Sequence, residues 1–478
     1  MNNYTIIKIV FRGKSIKLTS YFIISVLVLD KLKEYVKDNK DDIVSDLRSL
    51  IKHPSVSAQG IGIDECAGVL NSIMRDAGLE SRIIRIENGN PIVYGEVKGK
   101  KGSKTILFYG HYDVQPAEPL DAWRYNPFSG IVTDDKIYGR GSADSKGNVI
   151  AIVKAIKAIL ELYDELPVNV KVLIEGEEEI SSVNLPVFVE KNKDMLNADA
   201  CVCFDGSLNP SGSPNIFAGL KGLLYVELRC KTAMVDMHSS LAPLVHNAAW
   251  ILVKALNSIK KDGKIAIPNW YDGVKVPSKK DLELLENLDY DLESIKSSYG
   301  VKEFIGDVKG KAALKRLLFE PTCNIAGIYA GYVASGSKTV LPSEAYAKID
   351  FRLVYDQNPD MLLNKLKKYL KDEGYDNIDV IKLGSLEPSK TDPSENIVKC
   401  TQDAARKVYG KEPSLFPNSW ASGPDYVFTK ILKIPSVWTG CSPANANIHA
   451  PNEFTSISNV LDGICYISSI MQEFSTYK

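Results

Sequence analysis

Histidine and carboxylate residues follow several short apolar segments of this chain, and such side chains can bind metal ions or transfer protons. One set is His111-Tyr112-Asp113, directly after an apolar run. The His-x-Asp spacing would let Asp113 orient the imidazole and fix its tautomer, as carboxylates commonly do for metal-bound histidines. A structural histidine would fit the same motif equally well. His111 is therefore a candidate metal ligand only if other groups join it.

Four carboxylates crowd into five positions of the segment Glu175-Gly176-Glu177-Glu178-Glu179. Like charges this close repel and raise one another's pKa, so the cluster costs stability unless a metal or a function compensates it. A solvated acidic loop is the alternative. Asp205, in Cys203-Phe204-Asp205-Gly206, places another carboxylate after the next apolar segment.

A glycine-rich turn, GRGSADSKG over residues 139–147, comes directly before a helical pattern. Such turns often bind phosphate at helix starts. The spacing here matches neither the phosphate-loop nor the dinucleotide pattern. The central Asp144 would instead suit a cation, and His449 in the loop IHAPNE adds another imidazole.

The remaining histidines are His53, His238 and His246. His53 follows a helical pattern and precedes Pro54, which favours an exposed or capping role. His246 stands at the start of a helical pattern, where a structural role is expected. His238 lies in Asp236-Met237-His238-Ser239-Ser240, where a surface histidine is the alternative to a functional one.

The elements that must position these residues are short apolar strands alternating with helices. Helices are predicted at 64–77 and 148–163, and strands at 82–86, 92–97, 105–109, 168–174 and 200–204. This alternation predicts an α/β fold, in which sites lie at the carboxyl ends of strands. The pattern changes near Gly219. We expect a catalytic domain over 31–219 and 389–478 with a mixed sheet flanked by helices, an inserted α+β domain over 220–388, and an N-terminal extension over 1–30.

Composition excludes some partners and indicates a compartment. With 58 basic and 59 acidic residues the formal charge is -1, which argues against nucleic-acid binding. The eight cysteines form no CxxC pair and lie mostly in apolar context, as expected of buried free thiols in the cytoplasm. The apolar run 21–29 follows basic residues and could be a signal or anchor, but it is shorter than the ~20 residues that span a bilayer. We expect a packed or frayed extension and no membrane partner.

The set His111-Tyr112-Asp113, GRGSADSKG, EGEEE, FDG and IHAPNE, in this order and at these separations, resembles the motifs of the dinuclear metallopeptidases. That family includes carnosinase-like (cytosolic non-specific) dipeptidases, acetylornithine deacetylase and succinyl-diaminopimelate desuccinylase. The resemblance covers residues 31–478. It implies that the inserted domain serves as lid and dimer interface, that the protein is a homodimer, and that the peptide bond after Asp144 is cis.

The resemblance also implies a role for each matching residue. His111 and Asp205 would hold one metal, Glu179 and His449 the other, and Asp144 would bridge the two. Glu178 aligns with the general base, and Asp113 and His238 with catalytic residues. Thr339, Arg352 and Ser422 match substrate-binding positions. Ser240, Trp420 and Ala421 depart from the family pattern where relatives have glycine.

These expectations define a metal-dependent hydrolase of amide bonds in small peptides. Imidazole and carboxylate ligands suit zinc, with manganese or cobalt also acceptable. An N-acyl-amino-acid deacylase is the alternative within the family, and a catalytically silent binding protein is the alternative outside it. The silent relative would be expected to have lost a ligand or the base, and all of them are present.

Overall fold

The computed structural model describes residues 6–11 and 14–477 of the chain, which form two compact units. The first unit contains the chain up to Ile216, the segment Ser394–Leu415 and the residues from Leu432 onward. The second unit contains Phe217–Pro393 and Phe416–Ile431.

The helices of the described chain vary from one turn to about five. They are α1 (Ser20–Asp38), α2 (Lys40–Ile51), α3 (Ile63–Asp76), α4 (Gly147–Tyr163), α5 (Leu185–Lys191), α6 (Lys193–Leu196), α7 (Ala248–Ile259), α8 (Lys279–Asn287), α9 (Glu293–Tyr299), α10 (Gly310–Phe319), α11 (Pro359–Asp372), α12 (Asn396–Tyr409) and α13 (Ile457–Thr476).

The strands are mostly short. They are β1 (Ile6–Phe11), β2 (Lys14–Thr19), β3 (Glu80–Ile84), β4 (Ile92–Val97), β5 (Thr105–His111), β6 (Ile131–Thr133), β7 (Lys136–Tyr138), β8 (Asn169–Glu175), β9 (Ala200–Phe204), β10 (Asn215–Phe217), β11 (Gly222–Lys231), β12 (Met237–His238), β13 (Lys260–Lys261), β14 (Lys264–Ile265), β15 (Asn324–Ala330), β16 (Val340–Leu341), β17 (Glu344–Leu353), β18 (Ile378–Leu386), β19 (Ser414–Phe416), β20 (Ser436–Thr439) and β21 (Phe454–Ser456).

The core of the first unit is an eight-stranded sheet in the order β19-β10-β20-β9-β5-β8-β4-β3. Strands β20, β9, β5 and β8 run parallel, whereas β4 and β3 join antiparallel, so the sheet is mixed. Strands β5 and β9 are buried along nearly their whole length, which explains their continuous apolar sequence. Helix α4 packs on both of these strands and also on α13 and α2, and it is accordingly apolar on most of its surface. The predicted fold class is confirmed.

The second unit is built on an antiparallel sheet in the order β15-β17-β11-β18. Burial alternates along β11 and β17, because one face of the sheet packs against α7 and α11 while the other is more exposed. Helices α8, α9 and α10 lie between strands β14 and β15, in a stretch of the sequence rich in charged residues.

Two boundaries differ from those expected from the sequence. Residues 20–30 of the expected N-terminal extension are continuous with the domain that follows, because α1 runs from Ser20 through Asp30 to Asp38 and packs on α13. The segment Phe416–Ile431 belongs to the second unit, not to the first. Its backbone explains this, since the Ala218 N–H donates to the Phe416 carbonyl (3.0 Å) and the Ser419 N–H donates to the Gly219 carbonyl (2.8 Å).

Within the described residues, no helix combines the length and the apolar composition that crossing a bilayer requires.

Candidate active site

Parallel pairing brings three of the candidate segments to one edge of the first unit's sheet. Strand β5 lies between β8 and β9 and runs parallel to both. His111 is the last residue of β5, Glu175 is the last residue of β8, and Asp205 directly follows β9. Because the carboxyl ends of parallel strands meet at the same edge, residues far apart in sequence come together there.

The five predicted metal ligands form two groups that share Asp144, each compact enough to hold one ion. The first group is His111, Asp144 and Asp205; the second is Asp144, Glu179 and His449. Asp144 directs one carboxylate oxygen to each group: Oδ1 lies 3.0 Å from His111 Nε2, and Oδ2 lies 3.1 Å from His449 Nε2. His449 Nε2 is also 3.1 Å from Glu179 Oε2, and His111 Nε2 is 3.5 Å from Asp205 Oδ1.

The turn that carries Asp144 is held in place by the carboxylate of Glu453. That carboxylate accepts backbone N–H groups from Gly141 (3.1 Å), Ala143 (3.0 Å) and Asp144 (3.1 Å), and Arg140 Nη1 donates to it at 2.6 Å. Both partners of this ion pair are buried. The peptide bond between Asp144 and Ser145 is cis, as the resemblance implied.

Glycine is required at one position of this turn. Gly141 has a φ of 79°, and a Cβ there would lie 2.3 Å from Val114 Cγ1. A left-handed backbone and the close approach of Val114 both exclude a larger residue. The GRG motif therefore supports the position of Asp144 by its backbone and not by binding phosphate.

The four carboxylates of the EGEEE segment have separate environments. Glu175 is buried and accepts hydrogen bonds from the Tyr109 hydroxyl (2.6 Å) and the Ser182 hydroxyl (2.9 Å). Glu177 accepts the backbone N–H groups of Asn90 (2.8 Å) and Asn184 (3.0 Å). These two glutamates therefore hold the loop, and they leave Glu178 and Glu179 for the site.

Asp113 connects His111 to this loop. The Asp113 carboxylate accepts the backbone N–H groups of Glu178 and Glu179, each at 3.1 Å. His111 Nδ1 lies 3.0 Å from the Asp113 carbonyl and 3.4 Å from its carboxylate. Asp113 is thus placed to orient both the imidazole and the two glutamates, which is more than the His-x-Asp spacing alone predicted.

Burial and mutual charge shift the acid–base equilibria of the site strongly. Burial raises the pKa of Glu178 well above its ordinary value, and the neighbouring Glu179 adds to this. Hydrogen bonds that His449 donates to the carboxylates of Asp144 and Glu179 raise the pKa of His449 to about 10. Burial alone would lower the pKa of His111, but the surrounding carboxylates, Asp205 first among them, raise it well above its ordinary range.

These shifts mean that a positive charge between the carboxylates is strongly favourable. A divalent cation can supply that charge in place of the imidazole protons, since metal binding releases protons from its ligands. The donors are two imidazole nitrogens and three carboxylates, which suit zinc, manganese or cobalt. The residues present therefore fit a pair of divalent metal ions.

The other predicted residues lie in the second unit. His238 is exposed on β12, where its Nδ1 accepts the Ser240 backbone N–H (3.2 Å) and lies 2.8 Å from the Ser240 hydroxyl. Arg352 is on β17, and Thr339 is exposed just before β16. The Ser422 hydroxyl donates to the Gly222 carbonyl at 2.9 Å.

The two remaining histidines stay outside the cluster. His53 Nδ1 lies 2.8 Å from the Ser49 carbonyl at the end of α2, in agreement with a capping role. His246 is exposed two residues before α7 begins at Ala248.

Several residues that support the site were given no role from the sequence, although they lie inside or near the motifs. Arg140 and Glu453 are the clearest, because both belong to quoted motifs and pair with each other. Gln115 donates to Glu179 Oε2 at 2.9 Å, and Asn148 donates to the Ser442 hydroxyl at 3.1 Å. Nothing in their local sequence marks Gln115 or Asn148, because their partners lie far away along the chain.

The site consists of two ligand groups that share one aspartate, and it lies at the carboxyl edge of a mixed sheet. This arrangement is that of a hydrolase site of the two-metal type. Residues 107–473 match the model of peptidase family M20/M25/M40. The chain therefore belongs to this family, and it is a metal-dependent peptidase.

Named relatives are similar over nearly the whole chain. The chain is 28% identical to human Beta-Ala-His dipeptidase over 477 residues, covering 94% of this chain and 93% of that protein. It is 26% identical to the Cys-Gly metallodipeptidase dug1 of Schizosaccharomyces pombe, covering 94% of this chain and 98% of that protein. Among solved structures, the M20 family metallo-carboxypeptidase Sso-CP2 from Sulfolobus solfataricus is 38% identical with a TM-score of 0.87, covering 91% of this chain and 99% of that one.

Proposed function

We propose that this protein hydrolyses dipeptides that have a free C-terminal carboxylate, using two divalent metal ions at the cluster around Asp144. The observation that carries the proposal is the pair of ligand groups sharing Asp144, with Glu178 beside them. His111 and Asp205 would hold one ion, Glu179 and His449 the other. Zinc is the proposed metal, with manganese or cobalt as substitutes. Bound ions would supply Lewis acidity and an activated water.

Glu178 is the proposed general base. Its backbone is fixed by Asp113, and its raised pKa suits a group that takes a proton from the attacking water and returns it to the leaving amine. A carboxylate with an ordinary pKa would be a weaker base for the first transfer. The positive charge of bound metals would bring the pKa of Glu178 back toward neutrality.

Arg352 is the proposed binder of the substrate's terminal carboxylate. Its backbone is fixed, because its N–H donates to the Thr322 hydroxyl at 3.2 Å. Within the described part of the chain, no ion pair involves its guanidinium. A guanidinium can pair with a carboxylate through two parallel hydrogen bonds. Thr339 and Ser422 are the proposed contacts to the substrate backbone.

The relatives favour a dipeptidase over a deacylase. Two are named for the dipeptides Beta-Ala-His and Cys-Gly, and one is named a metallo-carboxypeptidase. All three names describe cleavage of a substrate that ends in an amino acid. An N-acyl-amino-acid deacylase would share the carboxylate contact, and the experiment below therefore includes such substrates.

A homodimer is proposed, with His238 stabilising the oxyanion in the partner's active site. The support is a set of exposed apolar side chains on the second unit. Trp250 on α7 is 65% exposed, and Ile325 and Ile328 on β15 are 49% and 57% exposed. Strand β15 is also an edge of its sheet, so its outer backbone groups can pair with another chain. Closed symmetric dimers are the commonest way to cover such surfaces.

A cytoplasmic location is proposed from the cysteines. All eight are buried and free of disulfides. Proteins with many unpaired thiols are typical of reducing compartments.

The test is an assay of the purified protein after chelation and after return of zinc, manganese or cobalt. The panel holds free dipeptides, the same dipeptides as C-terminal amides, and N-acetyl and N-succinyl amino acids. We expect activity to be lost on chelation and restored by metal, and free dipeptides to be cleaved best. Amides should be cleaved at least ~30-fold more slowly, because they leave a buried charge without its partner. Preference for N-acyl amino acids would overturn the dipeptidase proposal, and activity unaffected by chelation would overturn the metal mechanism.

A further inference from the structure

A large cavity lies within the second unit, next to Arg352. Its volume is about 780 Å³, in the range of small-molecule binding sites. Lys221 and Arg352 stand at one part of its wall, and the remainder is mainly apolar, with Trp420, Leu292, Ile295 and Phe304 among the lining residues.

The wall around Arg352 is held by backbone pairing and not by flexible side chains. Gly222 and Leu223 pair with Leu353 and Arg352 across strands β11 and β17. The Lys221 N–H donates to the Ala421 carbonyl at 3.0 Å, which fixes the loop that carries Trp420. The cavity is therefore preformed on the cationic side.

Trp420 is supported from behind by other aromatic rings. Its ring centroid lies 5.4 Å from that of Tyr290, 5.4 Å from that of Phe416 and 5.5 Å from that of Phe217. Such contacts fix the plane of a large apolar surface. This is one of the positions at which the sequence departs from the glycines of relatives.

Most of the cationic groups on the wall already have partners. Lys221 Nζ donates to the Glu320 carbonyl at 2.6 Å, and Lys260 Nζ donates to the Cys323 carbonyl at 2.9 Å. Arg316 pairs with the Glu320 carboxylate at 3.2 Å. Burial, together with the charge of Arg352, lowers the pKa of Lys221 to about 8. A further positive charge in this part of the cavity wall is therefore unfavourable. Two lining cations remain, Lys264, which is exposed to solvent, and Arg352, which is partly buried and is the group proposed to bind the carboxylate.

We propose that the amino acid whose carboxylate is bound by Arg352 places its side chain in this cavity, and that the enzyme therefore prefers dipeptides with a bulky apolar C-terminal residue. The inference rests on the proposed function and specifies its substrate class. The Arg352 guanidinium can pair with the main-chain carboxylate, and the apolar wall can pack against the side chain. An acidic side chain would lose hydration against the apolar wall, and the one further lining cation without a partner among the described residues, Lys264, is exposed to solvent.

The experiment measures kcat/KM of the metal-loaded enzyme for Ala-Phe, Ala-Leu, Ala-Gly and Ala-Asp. Ala-Phe and Ala-Leu should exceed Ala-Gly by at least ~10-fold, because each buried methylene adds to transition-state binding in an apolar pocket. Ala-Asp should fall below Ala-Leu. Equal values across the panel, or a preference for Ala-Asp, would overturn the inference while leaving the dipeptidase activity intact. Failure to cleave any of the four would instead overturn the proposed function.

Substitutions in the cavity wall test whether the preference for a bulky apolar C-terminal residue arises there. Ile295→Asp should reduce the ratio of Ala-Phe to Ala-Gly toward one. Ile305→Asp is the second variant, because Ile305 lines the cavity but is 73% exposed and tolerates a charge without unfolding. Met361→Asp is the matched control, since Met361 is 62% exposed on α11 and does not line the cavity. An unchanged ratio in both wall variants would show that the side chain binds elsewhere.

Discussion

At the residue scale, the EGEEE segment shows how one acidic cluster can serve both folding and chemistry. Glu175 and Glu177 are used by hydroxyl and backbone donors of the first unit, whereas Glu179 lies within 3.1 Å of His449. The repulsion expected of four adjacent carboxylates is reduced because Glu175, Glu177 and Glu179 have different hydrogen-bond donors. The alternative of a solvated acidic loop is therefore wrong, since Glu175 and Glu177 are buried.

The proposed base gives a prediction at this scale. Glu178→Gln should lower kcat ~100- to 10,000-fold, because it removes the proton carrier. Metal content should change little, because Glu178 belongs to neither ligand group. Turnover and bound metal are measured on the same preparation. Glu190→Gln is the control, because Glu190 is exposed and pairs with Lys193 on the surface, and its turnover should stay near that of the unmodified enzyme. Near-normal turnover of Glu178→Gln would transfer the role of base to another group.

The sequence predicted the ligand candidates because each belongs to a short motif at a strand end or a helix start. It did not predict how Asp113 is used, because its contacts to the backbone of Glu178 and Glu179 join segments separated by 65 and 66 residues. Local spacing carries information about neighbours along the chain. Contacts of this kind depend on strand order, which periodicity does not determine.

At the element scale, β5, β8 and β9 form the frame of the site, and their positions agree closely with the apolar runs of the sequence. The strand predicted at 200–204 coincides with β9, and the one predicted at 92–97 coincides with β4. The apolar residues of 30–52 have helical spacing, and in the structure this stretch belongs to two helices that meet at Asn39. Its continuous apolar spacing gave no sign of that break, because both helices bury one face in the same unit.

The turn before α4 should contribute measurably to the stability of the first unit. Glu453→Ala should lower the free energy of unfolding of the first unit by ~3 to 5 kcal/mol, because it leaves Arg140 buried without its partner. Three backbone N–H groups of the turn would also lose their acceptor.

Urea unfolding of the two variants Glu453→Ala and Glu412→Ala provides the comparison. Glu412 also pairs with an arginine, Arg406, but both side chains of that pair are substantially exposed. Exposed pairs contribute only ~0 to 1 kcal/mol, so Glu412→Ala should leave the midpoint nearly unchanged. Equal midpoints for the two variants would show that the turn is held by something other than Glu453.

At the scale of the whole molecule, the proposed machinery is divided between the two units. The five metal ligands and Glu178 belong to the first unit, and His238 and Arg352 belong to the second. The sequence indicated this division through the change of pattern near Gly219. The predicted boundaries place Phe416–Ile431 in the catalytic domain, whereas the segment belongs to the second unit. Backbone hydrogen bonds hold it there, and no local sequence pattern indicates them.

The proposed exchange of His238 between subunits can be tested by mixing two inactive variants. His238→Ala keeps its own metal site, and Glu178→Gln keeps its own His238. If His238 acts on the partner's active site, a mixed dimer contains one complete site, formed by the metals and Glu178 of the first variant and by His238 of the second. Random exchange makes half of the dimers mixed, so activity should recover to about a quarter of the unmodified level in a symmetric dimer. The control mixes Glu178→Gln with Asp144→Asn. The first change removes the proposed base and the second the shared ligand, each from the active site of its own chain, so no mixed dimer can contain a complete site. Activity is followed after the subunits have exchanged, and metal content is measured to establish that His238→Ala still binds its ions. No recovery in the first mixture, with mixed dimers present, would place His238 outside the partner's site.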